Sequence, residues 1–422
     1  MDKKKTKPAP STLYEKALSR IGSVNRRSTK AVCSAFEDAA TIVQNYCKPA
    51  AANRSLVILD HDFPVLTSSY RVTEYNAYLD RFPDALVYSQ RCTRENLQIF
   101  ESHYPQFKDR GLKFNRHIKL PFNLAYTLFL KSANNFIATV EKNNLPFVFT
   151  LYPGGGFEMN QAQSDHQLRR ICDYPNLKKI ITTQKVTSDY LLEKKFCGVD
   201  KIQYIYGGVV PIDYLLSHAK PRKFYHRDKK SFDICFVARK YMPRGVNKGY
   251  DVFIEVAARL ARMHPDINFH VVGNFDETDI DVSKFRDRIT FYGIRPTEFF
   301  PDFYSGMDII LSPNTPFVWM AGGFDGFPTG CCIEAALSGV AFFGTDLLKQ
   351  NTEFKDGEEV VVLTREPDEI AATVERYYKN YDALQRLAIT GKAAFERVFA
   401  LATQMQPRLK VLSEALEEKT GK

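Results

Sequence analysis

The stretch FDGFPTGCCIEAALSGVAFFGTD, residues 324–346, decides the fold of the second half of this 422-residue chain. Its opening FDGFP is typical of a turn, and Thr329 is a residue type that caps helix N-termini. GCCIEAALS then predicts a short helix with a largely apolar surface, and GVAFFGT predicts a buried strand. A turn, a helix and a buried strand in this order indicate an α/β domain with a parallel sheet.

Strands and helices alternate on both sides of this stretch. In the second half, strands are predicted at FDICFVAR, INFHVVGN, RITFYG, MDIILSP, GVAFFGT and EEVVVLT, and helices at DVFIEVAARLARM and residues 296–305, 329–338 and 367–378. In the first half, strands are predicted at SLVILDHDFP, ALVYS, LPFVFTLYP, KKIITT and KIQYIYGG, and helices around residues 122–143, 164–172 and 187–196. Alternation of this kind predicts parallel sheets covered by helices on both faces.

The chain is long enough for two domains of ordinary size. We predict an α/β protein with two Rossmann-like, doubly wound parallel-sheet domains that face each other across a cleft. Its parts are a basic helical extension and linker (1–53), a first domain for the acceptor (54–212), a charged linker (213–230), a second domain for the donor (231–380) and C-terminal helices that can cross back to the first domain (381–422). Such domains bind ligands at the carboxyl ends of their strands, so the architecture suits group transfer.

Composition narrows the classes of protein that fit. Hydrophobic residues make up 44% of the chain and charged residues 25%, values typical of soluble globular proteins. The eight cysteines form no CxxC pair, no apolar run is long enough to span a membrane, and the lysine-rich start lacks a secretory apolar segment. These features predict cytoplasmic localisation with reduced thiols. The absence of a GxGxxG motif followed by an acidic residue argues against a nicotinamide dehydrogenase.

The net charge of +9 suits an anionic partner. No nucleic-acid-binding motif is recognisable, so we predict no nucleic-acid partner. Lys3, Lys4, Lys5 and Lys7 precede a weakly apolar helical stretch, which suits a basic arm on an anionic membrane surface, at the inner face of the cytoplasmic membrane, as well as it suits a solvated tail.

The start of the helix at Thr329 has the properties of a diphosphate site. Gly330 leaves the first turn open, so the free backbone amides and the positive end of the helix dipole can face an anion without a metal ion. Glu334 lies one turn further along among apolar residues, where a carboxylate needs hydrogen-bonding partners such as the two hydroxyls of a ribose.

A cationic segment, VARKYMPRGVNKGY, lies between a strand and a helix at residues 237–250 and is a second candidate part of the diphosphate site. Arg239 follows the strand and Lys248 precedes the helix, so both can converge on one diphosphate. Neutralisation of that charge would assist departure of a nucleotide. Tyr241 belongs to the same segment, and the sequence does not fix its direction.

The second half resembles the C-terminal domain of family 4, the group 1 retaining glycosyltransferases, which have the GT-B fold. The resemblance covers roughly residues 232–399. It rests on several motifs in order: Arg239, Lys248 with Gly249, Phe291 to Gly293, Asp325 to Pro328, Glu334 with Ala335, Ser338 to Val340, and Thr345 with Asp346. This sequence departs from the family in one respect, because eight residues rather than seven separate its two acidic positions and the first is Asp rather than Glu.

The resemblance implies a retaining, metal-independent transferase. Its substrate would be a UDP-, GDP- or dTDP-sugar, and its acceptor a hydroxyl of a glycan or a lipid-linked molecule, in cell-surface polysaccharide or glycoconjugate synthesis. No cofactor and no metal site are implied. The implied catalytic residues are Asp325, Lys248 and Arg239, and the implied donor-binding residues are Arg239, Lys248, Ile294, Gly326, Phe327, Thr329, Gly330 and Glu334.

Two segments of the first half are candidates for a phosphate or acceptor loop. Ser69 and Arg71 belong to the polar turn TSSYR, and their hydroxyl and guanidinium groups are hydrogen-bond donors. Gly154, Gly155 and Gly156 follow a strand and suit either an anion-binding nest or a plain turn. No general base is assigned.

Two other functions fit the same architecture. A non-hydrolysing sugar-nucleotide epimerase needs acid and base residues around the sugar, and no such set is evident. A sugar-binding protein without catalysis would have no need to combine Arg239, Lys248 and Glu334.

Overall fold

The computed structural model describes residues 54–66, 69–115 and 120–420. They form two parallel sheets, one in each half of the chain, with helices on both faces. The predicted basic extension at residues 1–53 lies outside the described residues. Within the described part of the chain, none of the helices is both long enough and apolar enough to cross a membrane.

The first sheet has seven strands in the order β3-β2-β1-β4-β5-β6-β7, and every pair is parallel. Its central strands are buried on both faces and are therefore continuously apolar rather than alternating. The strands are β1 Arg54–Asp60, β2 Leu86–Ser89, β3 Gly111–Lys113, β4 Phe122–Leu128, β5 Phe147–Leu151, β6 Leu177–Thr182 and β7 Ile202–Tyr204. The helices are α1 Ser69–Arg81, α2 Arg94–His103, α3 Leu130–Lys142, α4 Ala162–Cys172, α5 Lys185–Glu193 and α6 Ile212–Ser217.

The second sheet has six parallel strands in the order β10-β9-β8-β11-β12-β13. The strands are β8 Phe232–Val237, β9 Ile267–Val272, β10 Ile289–Gly293, β11 Ile309–Ser312, β12 Ala341–Thr345 and β13 Val361–Leu363. The helices are α7 Tyr250–Met263, α8 Phe300–Ser305, α9 Gly330–Leu337, α10 Pro367–Lys379, α11 Tyr381–Phe399 and α12 Leu401–Thr420. In both sheets the strand order reverses next to the first strand of the domain, which is where doubly wound sheets bind ligands.

One sequence prediction in the first domain is wrong. Residues 122–143 were expected to be helical, but 122–128 form strand β4 at the centre of the sheet, and helix α3 begins only at Leu130. The run FNLAYTLFL is largely apolar, and a fully buried strand cannot be distinguished from a buried helix by periodicity. The short strand β3 and the helix α2 were not predicted.

The segment at residues 213–230, predicted as a charged linker, has structure of its own. Helix α6 occupies its start and packs against α9 of the second domain. Near its end, Lys229 Nζ lies 2.6 Å from a carboxylate oxygen of Asp233 and 2.5 Å from one of Asp308. Part of the charge in this segment therefore lies at the start of the two central strands of the second sheet, β8 and β11.

The last two helices connect the domains. Helix α11 packs against α9 and β12 in the second domain, whereas α12 packs against β4 and α1 in the first. Val411 and Leu412 of α12 are buried in the first-domain core. Arg408, also fully buried, places a guanidinium nitrogen 3.9 Å from Glu74 of helix α1. The chain therefore leaves the second domain and ends on the first.

Gly249 explains why the cationic loop has a Lys-Gly sequence. It precedes helix α7 with a left-handed φ of 72°, and a Cβ atom there would lie 1.9 Å from the carbonyl oxygen of Pro313. Only glycine has both the required backbone freedom and the required small size. The Cα of Lys248 is therefore held close to the segment that follows β11.

Gly249→Ala is expected to lower the free energy of unfolding by about 1–3 kcal/mol from its backbone conformation, and further because of the clash with Pro313. Gly357→Ala is the matched control, since Gly357 has a φ of 76° but no atom within 4 Å of a built Cβ. Thermal unfolding of both variants measures the difference. Equal losses of stability would contradict the clash.

Candidate active site

A cleft of about 760 Å³ lies between the two domains. Its walls come from the carboxyl ends of strands in both sheets, as expected for ligand sites of parallel sheets. From the first domain it is lined by Tyr70, Phe129, Tyr152, Pro153, Thr183, Gln184 and residues 207–210. From the second domain it is lined by residues 237–239, Tyr241, Lys248, Val272, Gly273, Ile294, Arg295, Phe300, Ser312, Asn314, Asp325, Gly326, Pro328 and the start of α9.

Lys248 and Asp325 form an ion pair in this cleft. The Lys248 ammonium lies 2.7 and 2.8 Å from the two carboxylate oxygens of Asp325, and the lysine side chain is only 13% exposed. Burial alone lowers the pKa of Lys248, but the Asp325 carboxylate raises it, and the net pKa lies above its ordinary value. The lysine is therefore a permanent cation inside the cleft.

Arg239 and Lys248 share one aromatic neighbour. The Arg239 guanidinium carbon is 6.0 Å and the Lys248 ammonium 5.4 Å from the ring centroid of Tyr241. Tyr241 in turn stacks on Trp319, the only tryptophan of the chain, with a centroid separation of 4.9 Å. The Tyr241 side chain, whose direction the sequence left open, therefore lines the cleft near both cations and is about half exposed.

The start of helix α9 faces the cleft. Thr329, Gly330 and Cys331 all line it, and a Cβ built on Gly330 would meet nothing within 4 Å. The first amides to bond back into the helix are those of Cys332 and Ile333, which both donate to Thr329 O at 3.0 Å. The two preceding amides, at the positive end of the helix dipole, are therefore placed to receive an anion.

Glu334 lies within the same helix and close to Cys331. Burial, and to a smaller extent Cys331, raises the pKa of Glu334 to about 8. A carboxyl group in this position favours the protonated form until a ligand supplies hydrogen-bond donors. Arg239, Lys248 and Cys331 line the cleft, and Cys331 lies near Glu334, which is itself partly buried and does not line the cleft.

The other predicted donor residues occupy different positions. Ile294 lines the cleft and is 69% exposed, and Gly326 also lines it. The Phe327 side chain does not line this cleft, because it is buried against Phe342 with a centroid separation of 5.4 Å. The Phe327 carbonyl oxygen accepts a hydrogen bond of 3.4 Å from Gln184 of the first domain. Phe327 can therefore contribute only through its backbone.

The first-domain loop prediction needs correction at Ser69 and Arg71. Ser69 begins helix α1, so the TSSYR turn does not continue to Arg71. Arg71 is buried and lies 3.0 Å from a carboxylate oxygen of Asp60 and 3.8 Å from one of Asp62. These carboxylates neutralise the charge that the phosphate prediction required, and neither Ser69 nor Arg71 lines the cleft.

Gly154, Gly155 and Gly156 form a tight turn outside the lining of the cleft. All three have left-handed φ values, of 75°, 55° and 90°. The carbonyl oxygen of Gly155 accepts from the amide of Lys131 at 2.9 Å, and a Cβ on Gly155 would lie 2.3 Å from the ring of Phe129. The geometry favours the plain turn over an anion-binding nest.

Several cleft residues were not predicted as site residues. Tyr70, Phe129 and Gln184 lie directly after or just beyond predicted elements, and Cys331 lies in the first turn of α9. Phe129 follows the carboxyl end of β4 and Gln184 follows that of β6, which was the available signal for these two residues. The incorrect helix at residues 122–143 concealed the position of Phe129.

Comparison with known proteins agrees with this geometry. Residues 231–380 match the family model described as glycosyl transferases group 1. The second domain is therefore similar to the domain that this model describes. The resemblance stated from the sequence and the predicted enzyme class, a glycosyltransferase, are thereby confirmed, and the match favours transfer over epimerisation. A search of curated protein sequences gave no match.

Several solved structures share this fold. A glycosyltransferase from Rickettsia africae ESF-5 is 16% identical, with a TM-score of 0.65 over 86% of this chain and 99% of that chain. HepE from Anabaena in complex with UDP is 16% identical, with a TM-score of 0.64 over 85% of this chain and 100% of that chain. Sucrose-phosphate synthase from Thermosynechococcus elongatus is 15% identical, with a TM-score of 0.56 over 86% and 100%. These similarities confirm the predicted GT-B fold.

The raised pKa of Glu334 predicts a pH-dependent stability. Between its ordinary pKa of about 4.3 and the folded value of about 8, the folded state keeps a proton that the unfolded state releases. The free energy of unfolding of the unmodified protein therefore falls as pH rises through this window, by at most about 1.4 kcal/mol per pH unit. Glu334→Gln should be less sensitive to pH.

Denaturant unfolding at about pH 5 and about pH 8 measures this difference. Glu193→Gln, at the exposed end of α5, is the control and should follow the unmodified protein. A Glu334→Gln variant with the same pH dependence as the unmodified protein would contradict the burial of this carboxyl group.

Proposed function

We propose that this protein is a retaining, metal-independent glycosyltransferase that transfers a sugar from a nucleotide diphosphate sugar to a hydroxyl group of a glycan or lipid-linked acceptor. The observation that carries the proposal is the convergence of Lys248, Arg239 and the open start of α9 in one interdomain cleft. Two cations and free amides are the groups that a diphosphate requires.

The donor proposed first is a UDP-sugar. HepE from Anabaena, which shares the fold, has been solved with UDP and with UDP-glucose. GDP- and dTDP-sugars are the other candidates. The backbone at Ile294 is proposed to contact the base, Glu334 to accept hydrogen bonds from the ribose hydroxyls, and Arg239 and Lys248 to bind the diphosphate. Asp325, with the amides of Gly326 and Phe327, is proposed to hold the transferred sugar.

The proposed reaction exchanges one bond to the anomeric carbon for another. The bond between the anomeric carbon and the diphosphate oxygen breaks, and its electron pair leaves with the diphosphate. The acceptor oxygen forms the new bond on the same face, and its proton passes to the departing diphosphate oxygen. Lys248 and Arg239 stabilise the negative charge that develops on this oxygen. The leaving group thus serves as the base, and the configuration is retained.

Metal independence is proposed because the protein itself supplies the required positive charge. Lys248 pairs with Asp325, so a diphosphate would compete with that carboxylate for Lys248, while Arg239 and the first amides of α9 add positive charge in the same cleft. The helix dipole of α9 adds positive potential at the same position.

We further propose that the acceptor belongs to cell-surface polysaccharide or glycoconjugate synthesis and that the protein works in the cytoplasm at an anionic membrane surface. The net charge of +9 and the lysines at positions 3, 4, 5 and 7 support membrane attraction. These lysines lie outside the described residues.

Lys248→Ala is expected to lower kcat/KM at least about 100-fold, since it removes a charge that stabilises the leaving group. Glu334→Ala is expected to weaken donor binding and to abolish transfer. Release of UDP from UDP-glucose and other UDP-sugars, with a panel of glycan acceptors, measures both effects. Fluorescence of Trp319, which stacks on the cleft residue Tyr241, reports UDP binding independently of turnover.

Lys240→Ala is the matched control, because Lys240 belongs to the same segment but pairs with Asp279 at 2.7 Å and does not line the cleft. It should keep nearly unmodified activity. Thermal unfolding verifies that all three variants fold. Full activity of the folded Lys248→Ala and Glu334→Ala variants would remove the proposed donor site.

The anomeric configuration of the product tests the stereochemical proposal. Nuclear magnetic resonance of the product should show the configuration of the donor sugar, and transfer should keep its rate after exhaustive treatment with a chelator, because protein groups carry the compensating charge. An inverted product would refute retention, and a loss of activity that Mg²⁺ or Mn²⁺ restores would refute metal independence.

A further inference from the structure

Three aromatic rings form one wall of the cleft on the first-domain side. Tyr70, Phe129 and Tyr152 all line the cleft, and their ring centroids lie 5.5 to 6.4 Å apart in tilted or edge-to-face arrangements. We call this set the aromatic wall. It takes no part in the donor site, because the proposed diphosphate-binding groups belong to the second domain. Its presence in the cleft therefore calls for a separate ligand.

The backbone of Phe129 is strained. Its φ of 67° and ψ of 148° lie in a region that residues other than glycine rarely adopt. It joins the end of β4 to the start of α3, and its amide donates to Thr150 O at 2.9 Å. A strained conformation costs about 1–3 kcal/mol and persists mainly where function requires it. Here the strain places a phenyl ring in the wall of the cleft.

The neighbouring glycine turn makes this placement possible. A Cβ atom on Gly155 would lie 2.3 to 2.7 Å from three atoms of Phe129, so a larger residue would displace the ring. Behind the wall, the Arg71 guanidinium carbon lies 5.6 Å from the Tyr70 centroid and 5.8 Å from that of Phe129. The glycine turn and the buried arginine, which the sequence suggested as part of a phosphate or acceptor loop, are thus supports of the aromatic wall.

Two buried polar groups of the first domain line the same cleft as this wall. Gln184 is 2% exposed, and among the described residues its buried Oε1 has no hydrogen-bond partner. The hydroxyl of Thr183 is in the same state. Buried polar atoms are rarely left unpaired, so these atoms indicate a ligand with hydroxyl groups. The Nε2 of Gln184 would lie 2.8 Å from a Cβ built on Gly326, next to the proposed sugar-binding residue Asp325.

We propose that the aromatic wall, together with Gln184 and Thr183, is the acceptor subsite and that it binds a pyranose ring of a saccharide acceptor. This inference rests on the proposed glycosyltransferase function and specifies its acceptor. A pyranose has a face of C–H groups that packs on aromatic rings and a rim of hydroxyls that bond to amide and hydroxyl groups. A hydrocarbon chain would satisfy the rings but would leave Gln184 and Thr183 unpaired.

Saturation-transfer nuclear magnetic resonance tests this subsite without a known acceptor. The probes are free glucose, galactose, mannose and N-acetylglucosamine, each added to the full-length protein saturated with UDP, with octanol as the hydrocarbon comparison. We expect signals from the ring protons of at least one sugar and none from octanol. Signals from octanol alone, or from none of the probes, would overturn the proposal.

Phe129→Ala and Tyr70→Ala should reduce the sugar signals at least about tenfold, because stacking on these rings is lost. Phe224→Ala is the matched control, since Phe224 is a partly exposed phenylalanine of the segment between the domains and lies outside the cleft. It should keep the sugar signals of the unmodified protein. Unchanged signals in both cleft variants would overturn the assignment.

Stabilisation of each variant by UDP separates the two proposals. If UDP raises the unfolding temperature but the sugars do not bind, the donor proposal stands and the acceptor proposal fails. If UDP, GDP and dTDP all fail to stabilise the unmodified protein, the donor proposal itself fails. Phe129→Gly provides a further measurement, because relief of backbone strain should keep its unfolding temperature at or above that of Phe129→Ala while sugar binding is lost.

Discussion

The ion pair between Lys248 and Asp325 joins the two segments on which the donor site depends. One segment follows β8 and ends in a short 3-10 helix at Pro243–Lys248, and the other is the turn that precedes α9. Removing two charges from water is costly, and their attraction offsets this cost only in good geometry. A donor diphosphate could share Lys248 with Asp325 and bond to the free amides of α9, so its binding would complete the compensation of charge at this site.

Steric constraints at two glycines position the groups on both sides of the cleft. Gly249 allows the cationic loop to approach Pro313, which places Lys248. Gly155 gives space to the strained Phe129, which places the aromatic wall. In each case the glycine contributes no ligand group itself, although the sequence motif draws attention to it. The functional atoms lie on neighbouring side chains, and the small residue determines where those side chains can go.

The second domain was more predictable from the sequence than the first. A local pattern marks each of its apolar strands, its amphipathic helix α7 and the turn before α9. The two motifs that contain Lys248 and Glu334 adjoin these elements. In the first domain, the largely apolar run at β4 has no clear period, so it was taken for a helix. The ion pairs of Arg71 and the unpaired atoms of Gln184 depend on contacts between distant segments, which no local pattern reveals.

The turn that carries Asp325 is held by both domains. Phe324 is buried in the first-domain core, with its ring centroid 5.9 Å from that of Phe157, and the amide of Met159 donates to Gly322 O at 2.8 Å. Gln184 adds a bond to Phe327 O. Any rotation of the domains must either break these contacts or carry the turn with the first domain, away from Lys248. The position of Asp325 relative to Lys248 is therefore coupled to the separation of the domains, so the closed arrangement is the one in which donor and acceptor groups meet.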